Sequence, residues 1–168
     1  DDNVAALLHR ATNKEEMAKI LGSENINKLD DDNVKDLLHD AAMKNIIDEM
    51  VKVIISFKKE LTVNNIFRLF YYAPNKNEIA QALGTEKINK LDNKHVYVLL
   101  DYATNKEEMA QALGSENINK LDDNAYGYLL QNATNKDEII KLIIIYKKEY
   151  LIDDLYVASL LEKATDKD

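Results

Sequence analysis

The sequence predicts an all-α chain, a right-handed superhelical α-solenoid of tandem helix pairs. Three observations predict it. Segments recur at a spacing of about 30 residues, the period of stacked helical repeats. Apolar residues inside each copy fall at helical spacing. Polar caps and glycines punctuate the copies at matching places. Asn13-Lys14-Glu15-Glu16-Met17-Ala18 returns as Asn105-Lys106-Glu107-Glu108-Met109-Ala110, and Gly22 to Leu29 returns as Gly114 to Leu121. A degraded copy runs from Asn75 to Leu91. Counted from the apolar residue before each polar stretch, copies open at Leu29, Leu61, Leu91, Leu121 and Ile152. The expected organisation is one tandem-repeat domain over 1–168, with copies near 1–28, 29–60, 61–90, 91–120, 121–151 and 152–168. That is about five and a half units, and both terminal copies are incomplete, so the chain reads as a piece of a longer array.

Within a copy, the first helix is expected to start in an Asp/Asn cluster such as Asp30-Asp31-Asp32-Asn33, whose side chains suit capping. Val34, Leu37, Leu38 and Ala41 then mark one helix face, repeated as Val96, Leu99, Leu100 and Ala103. Thr12 with Glu15, and Thr104 with Glu107, have the spacing of a capping box for the second helix; Thr134 with Asp137 is a weaker version. That helix should bury Met17, Ile20 and Leu21, or Met109, Ala112 and Leu113, and end at Gly22 or Gly114. Ser23 and Ser115 are placed to cap a further turn holding Ile26 or Ile118.

Residues 44–60 and 136–150 lack the glycine and carry apolar runs, Val51 with Val53 to Ile55 and Leu142 to Ile145. Each predicts one longer, more buried second helix. The β-branched run Ile143 to Ile145 also fits a strand, but its place in the repeat favours helix, because local propensity is a weak prior. Helices of ~10–12 residues are marginal alone, so stability must come from stacking neighbouring copies.

Comparing copies separates frame from face. Ala11, Ala41, Ala73, Ala103, Ala133 and Ala164 close the first helices, and Leu7, Leu37, Leu69, Leu99, Leu129 and Leu160 form a matching leucine column. Both read as packing. The pair before the alanine varies: His9-Arg10, His39-Asp40, Tyr71-Tyr72, Asp101-Tyr102, Gln131-Asn132 and Glu162-Lys163. One turn earlier the pairs are Ala5-Ala6, Lys35-Asp36, Phe67-Arg68, Tyr97-Val98, Gly127-Tyr128 and Ala158-Ser159. Positions three and four apart share a helix face, so these columns form a stripe. Tyr71, Tyr72, Tyr97, Tyr102 and Tyr128 lie in it. Tyr and Arg are favoured interface anchors, which makes the tyrosines, with Arg68, His39 and Arg10, the candidate partner-binding residues. Neutral drift on a solvated face is the alternative.

A second column is constant. Lys14, Lys44, Lys76, Lys106, Lys136 and Lys167 stand at the start of the second helix. A cation is unfavourable at that end of the helix dipole. Each lysine is therefore expected either to pair with a carboxylate such as Glu15 or Glu107, or to meet an anion.

The unit length, the opening leucine, the Leu-Leu of the first helix, the variable pair and the following lysine resemble transcription-activator-like effector repeats, within a broader similarity to helical-repeat solenoids. The resemblance implies DNA reading by the variable pairs His9-Arg10, His39-Asp40, Tyr71-Tyr72, Asp101-Tyr102 and Gln131-Asn132. It also implies phosphate contacts from Lys14, Lys44, Lys76, Lys106 and Lys136. Where that family has a Gly-Gly loop, most copies here have Ala-Thr-Asn, and the repeat is shorter.

Composition removes other classes. With no Cys there is neither a disulfide framework nor a thiolate metal site or nucleophile. One Pro and four Gly exclude collagen-like and Pro-rich chains. No apolar run approaches the ~18–20 residues of a membrane span. Phosphate-binding glycine loops, His-Glu-x-x-His and the nucleophile elbow are absent from the sequence, so neither catalysis nor a cofactor is expected. Asp30 to Asn33 lacks the ligand spacing of a calcium loop and reads as a cap, and Asn132-Ala133-Thr134 is a chance glycosylation triplet over a packing alanine. A net charge of −8 opposes generic nucleic-acid binding and anionic membranes. The expected role is a non-enzymatic scaffold for a protein or peptide, with a nucleic-acid-binding solenoid or a spacer array as alternatives.

Overall fold

The structure is a computed structural model that describes residues 2–146. Among these residues the chain is all helical, without a strand. The helices are α1 (Asp2–Arg10), α2 (Lys14–Ile26), α3 (Asp31–Met43), α4 (Ile47–Phe57), α5 (Val63–Tyr72), α6 (Lys76–Leu83), α7 (Thr85–Ile88), α8 (Asn93–Tyr102), α9 (Lys106–Leu113), α10 (Ser115–Ile118), α11 (Asp123–Asn132) and α12 (Lys136–Tyr146). The chain divides into two compact units between Lys87 and Ile88. In the first, α1 packs on α3 and α3 on α5, while α2 packs on α4. In the second, α8 packs on α11 and α9 on α12. Within each unit, then, first helices stack on first helices and second on second.

Caps set the helix starts. Asp30, Asp92 and Asp122 accept the N–H of Asn33, His95 and Ala125, and Thr62 forms a reciprocal box with Asn65. The Asp30 cluster is thus a cap. The second helices start one residue later than the Thr–Glu spacing implies: Asn13, Asn75 and Asn105 accept the N–H of Glu16, Glu78 and Glu108. Asn caps as well as Thr or better, and it leaves the lysine as the first helical residue. Gly22, Gly84 and Gly114 sit at φ of 71°, 76° and 78°, where other residues are strained. They break the second helix before a final turn: α7, α10 or residues 23–26 of α2. In that turn Ser115 is the first helical residue, and Gly114 before it gives no side-chain cap.

The leucine column is buried at Leu37, Leu69, Leu99 and Leu129, and Ala41 and Ala73 are buried beside it. Leu7 departs from expectation and is exposed, because no described helix packs on that side of α1. Leu160, Ala164, Lys167 and the variable pairs of the final copy lie outside the described residues. The glycine-free second helices are longer, 11 residues in α4 and α12 against 8 in α6 and α9. Ile143 to Ile145 are helical; Ile143 is buried while Ile144 and Ile145 face outward.

The 29–60 copy closes its first helix differently. Ala42-Met43 stands where 1–28, 91–120 and 121–151 have Thr-Asn and 61–90 has Pro74-Asn75, so no asparagine cap interrupts and α3 continues to Met43. It ends in a Schellman arrangement: Ile46 N–H donates to the Ala41 carbonyl at 2.9 Å and Asn45 N–H to Ala42 at 3.2 Å. Asn45 takes the left-handed conformation, φ 56°, that this closure needs.

Candidate interaction face

In the first unit the variable columns of α1 and α3 line an open groove of about 430 Å³. Its walls include Ala5, Ala6, His9, Arg10, His39 and Asp40. The small Ala5-Ala6 pair leaves the space, and the charged pairs set its chemistry. His9 Nδ1 lies 3.1 Å from Asp40 Oδ2, and Lys44 Nζ lies 2.8 Å from the same oxygen. The hydrogen bond from Lys44, opposed by partial burial and assisted by the charges of His9, Lys44 and Lys14, holds the Asp40 carboxyl below the usual carboxylate range.

The next helix adds an aromatic cluster. Tyr71 and Tyr72 meet edge to face with centroids 5.1 Å apart, and Tyr72 meets His39 of α3 in the same way at 6.1 Å. Phe67 lies 5.9 Å from Tyr71, and the Arg68 guanidinium sits 5.5 Å over the Phe67 ring. Such contacts restrict rotamers before any partner arrives, which lowers the ordering cost of binding. The candidate residues His39, Arg68, Tyr71 and Tyr72 are therefore brought together, with Arg10 in the adjoining groove.

The second unit carries its own tyrosines. Tyr97 is half-buried, while Tyr102 and Tyr128 are exposed. Burial and the charge of Asp101 push the Tyr97 hydroxyl above its ordinary pKa, against a hydrogen bond with Asn132, and Tyr102 and Tyr128 act on it as near neighbours. The three candidates of this unit thus also share a neighbourhood.

At three of its positions the lysine column serves backbone carbonyls. Lys14 is only 4% exposed, and its Nζ donates to the carbonyls of His9 at 2.8 Å and Ala11 at 2.7 Å. Lys106 Nζ donates to Leu100, Asp101 and Ala103 at 2.8, 2.9 and 3.2 Å, and Lys76 Nζ donates to Phe70 at 2.6 Å and to Ala73. Each side chain reaches back to the C-terminal end of the preceding helix, where a cation is favourable for the dipole and satisfies orphan carbonyls. Glu15, an expected partner, instead pairs with Lys19 at 2.7 Å. Burial and the Lys44 ammonium push the Lys14 pKa below its ordinary value, opposed by Glu49 and Asp40. Lys44, displaced by the longer α3, bonds Asp40 instead. Lys136 opens α12 and is half-buried.

Two lysines outside the column do similar work between copies. Lys58 Nζ donates to the carbonyls of Asn27 at 3.2 Å and Leu29 at 2.6 Å. Lys120 Nζ donates to those of Asn89 and Leu91, both at 2.7 Å. For Lys120 the signal was its place directly before an opening leucine, shared with Lys28 and Lys90; Lys58, three residues before Leu61, lacks it. A glutamate also reaches back: Glu49 and Glu138, each the third residue of its helix, accept the N–H of Lys14 at 2.7 Å and Lys106 at 2.8 Å. Tyr126, a core residue the reading of the sequence passed over, donates its hydroxyl to the Ile118 carbonyl at 3.2 Å. Its burial raises its pKa far above the ordinary tyrosine value.

Among the described residues, no group of three or more His, Asp or Glu side chains is placed to hold a metal ion, and no helix is long and apolar enough to cross a membrane. In comparisons with known proteins, no family model, curated protein or solved structure matches the chain.

Proposed function

We propose that the chain is a non-enzymatic scaffold, a superhelical α-solenoid of helix-pair repeats that binds a protein or peptide through the variable, tyrosine-rich stripe of its first helices. The observation that carries this is the division of labour between columns. The buried leucines and alanines and the column lysines Lys14, Lys76 and Lys106 are spent on holding helices together. The positions that change from copy to copy line a groove at His9, Arg10, His39 and Asp40 and present Tyr71, Tyr102 and Tyr128 to solvent. A preformed face of this kind loses little ordering entropy on binding. The net charge of −8 favours a partner that is neutral or basic. A nucleic-acid reading draws little support, because the ammonium groups of Lys14, Lys76 and Lys106 already serve backbone carbonyls.

The test is selection from a displayed random-peptide library, followed by titration of the enriched peptides against wild type and Tyr72→Ala/Tyr102→Ala. The expected result is basic, apolar-rich peptides whose affinity falls ~10–100-fold in the variant while helicity is unchanged. Equal affinity for both proteins, or no enrichment, would remove the stripe as a binding surface.

A further inference from the structure

One copy carries its own cation on the variable face, and the copy after it in sequence does not. In α5 the Arg68 guanidinium sits 5.5 Å over the Phe67 ring, with Tyr71 one turn further on. In α8 the residues of the same columns are Tyr97, Val98 and Asp101. The aromatic ring is kept, valine replaces the cation, and a carboxylate takes the place of Tyr71. A self-contained cation–π pair is thus exchanged for an aromatic ring and an anion on one helix face, since positions four apart are neighbours.

The surroundings keep that face open. Tyr97 is half-buried, and its hydroxyl is hydrogen-bonded to Asn132 of α11. Asp101, Tyr102 and Tyr128 all act electrostatically on that hydroxyl, so the three lie around it. Gly127 is the counterpart of Tyr97 on α11, and nothing lies within 4 Å of where its Cβ would stand. Because α8 packs on α11, this column position adjoins that of Tyr97 and adds room beside it. The Asp101 carboxylate belongs to a half-buried residue, yet among the described residues no lysine or arginine forms an ion pair with it. Lys106, close by, spends its ammonium on the carbonyls of Leu100, Asp101 and Ala103.

We infer that the α8–α11 face of the second unit binds an arginine side chain of the peptide partner, its guanidinium stacked on the tyrosines and forked on the Asp101 carboxylate. This gives part of the stripe a ligand chemistry, and it rests on the reading of that stripe as a peptide-binding face. The internal pair of Arg68 and Phe67 sets the choice of a guanidinium. Being planar, it stacks on a ring and presents paired N–H groups to a carboxylate, which an ammonium does not. The net charge of −8 adds long-range attraction for a cation.

The experiment is an NMR titration of the full chain, following backbone amides, with N-acetyl-arginine amide up to ~100 mM at constant ionic strength, because a ligand this small binds in the millimolar range. Its neutral isostere, N-acetyl-citrulline amide, is titrated beside it. Arginine amide should shift the signals of α8 and α11 saturably, and citrulline amide should bind at least ~10-fold more weakly. Asp101→Asn removes the anion and should weaken arginine binding ~3–10-fold. Val98→Arg restores the cation of the 61–90 copy and should abolish the saturable shift, with helicity unchanged in both variants. No saturation, equal binding of citrulline amide, or wild-type affinity in either variant would overturn the arginine site. If the library-selected peptides still depend on Tyr72 and Tyr102, that failure strikes the arginine assignment alone; if they do not, it strikes the stripe as well.

Discussion

Residues 29–60 and residues 91–120 are copies of one pattern, yet they close their first helices by different means. In 91–120, Ala103 turns extended, Asn105 caps the next helix, and Lys106 returns its ammonium to the carbonyls of Leu100 and Asp101 in α8 and of Ala103 just past it. In 29–60, Ala42-Met43 offers no cap, α3 runs on, and Asn45 closes it from the left-handed region. Lys44 is consequently carried past the carbonyls and pairs with Asp40 at the surface. The same residue type in the same column thus has a structural role in one copy and a peripheral one in the other. The deciding residue is the asparagine before the lysine. A helix end that needs a cation is made by the cap that follows it.

The comparison can be broken most severely at Lys106. Lys106→Met should destabilise the second unit by about 2–3 kcal/mol in urea denaturation, because charge-assisted bonds to three carbonyls disappear together. A somewhat smaller loss, about 2 kcal/mol, is expected for Asp31→Ala, which strips the partner of Asn65, a fully buried amide. This substitution also carries a pH signature. Burial tends to raise the Asp31 pKa, but hydrogen bonds from Thr62, Asn64 and Asn65 outweigh it and hold the carboxyl below its ordinary value. A depressed folded-state value means the contribution is complete above the unfolded pKa of ~3.9 and is lost as pH falls through the folded value. The difference in melting temperature between wild type and Asp31→Ala should therefore be constant from neutrality to about pH 5 and narrow below pH 4. A constant difference down to pH 2 would contradict the hydrogen-bonded carboxylate.

The local closures sharpen the contrast further. Asn105→Ala should cost about 1 kcal/mol through loss of the cap. Asn45→Ala should cost a similar ~1 kcal/mol from the left-handed φ, and Asn45→Gly should be neutral or stabilising. If Asn45→Gly destabilised as much as Asn45→Ala, the Schellman account of the 29–60 copy would fail. Lys44→Met should change stability least, by under ~0.5 kcal/mol, as expected for an exposed pair on one helix.

How much of this was legible in the sequence follows from which interactions are local. The helix pairs, the Asp caps of first helices, the glycine breaks and the buried leucines Leu37, Leu69, Leu99 and Leu129 were readable, since periodicity and capping act within a few residues; Leu7 and Ile20, expected in the core, are exposed, and Met17 and Leu21 are half-buried. The Thr–Glu boxes were misplaced by one residue because Thr and Asn are both good caps, and only the fold decides which N–H groups are orphaned. The lysine column was legible as a repeat but not as a role. Its partners are carbonyls three to six residues back, brought within reach by the turn between the helices. Lys58 and Lys120 were missed for a related reason, since their acceptors lie 29 to 31 residues away, at the junction with the preceding copy. For the candidate face, the sequence marked which positions vary. The packing of Tyr72 against His39, and the space beside Ala5 and Ala6, emerged only from helices meeting across copies.

The central claim is that the lysine column holds helix ends and leaves the variable stripe as the surface available to partners. Its most direct test is to measure urea denaturation of Lys106→Met and Lys44→Met side by side, following helicity. The account predicts a loss of about 2–3 kcal/mol for the first and under ~0.5 kcal/mol for the second. Equal effects, or a Lys106→Met protein as stable as wild type, would show that the ammonium–carbonyl bonds do not hold the frame.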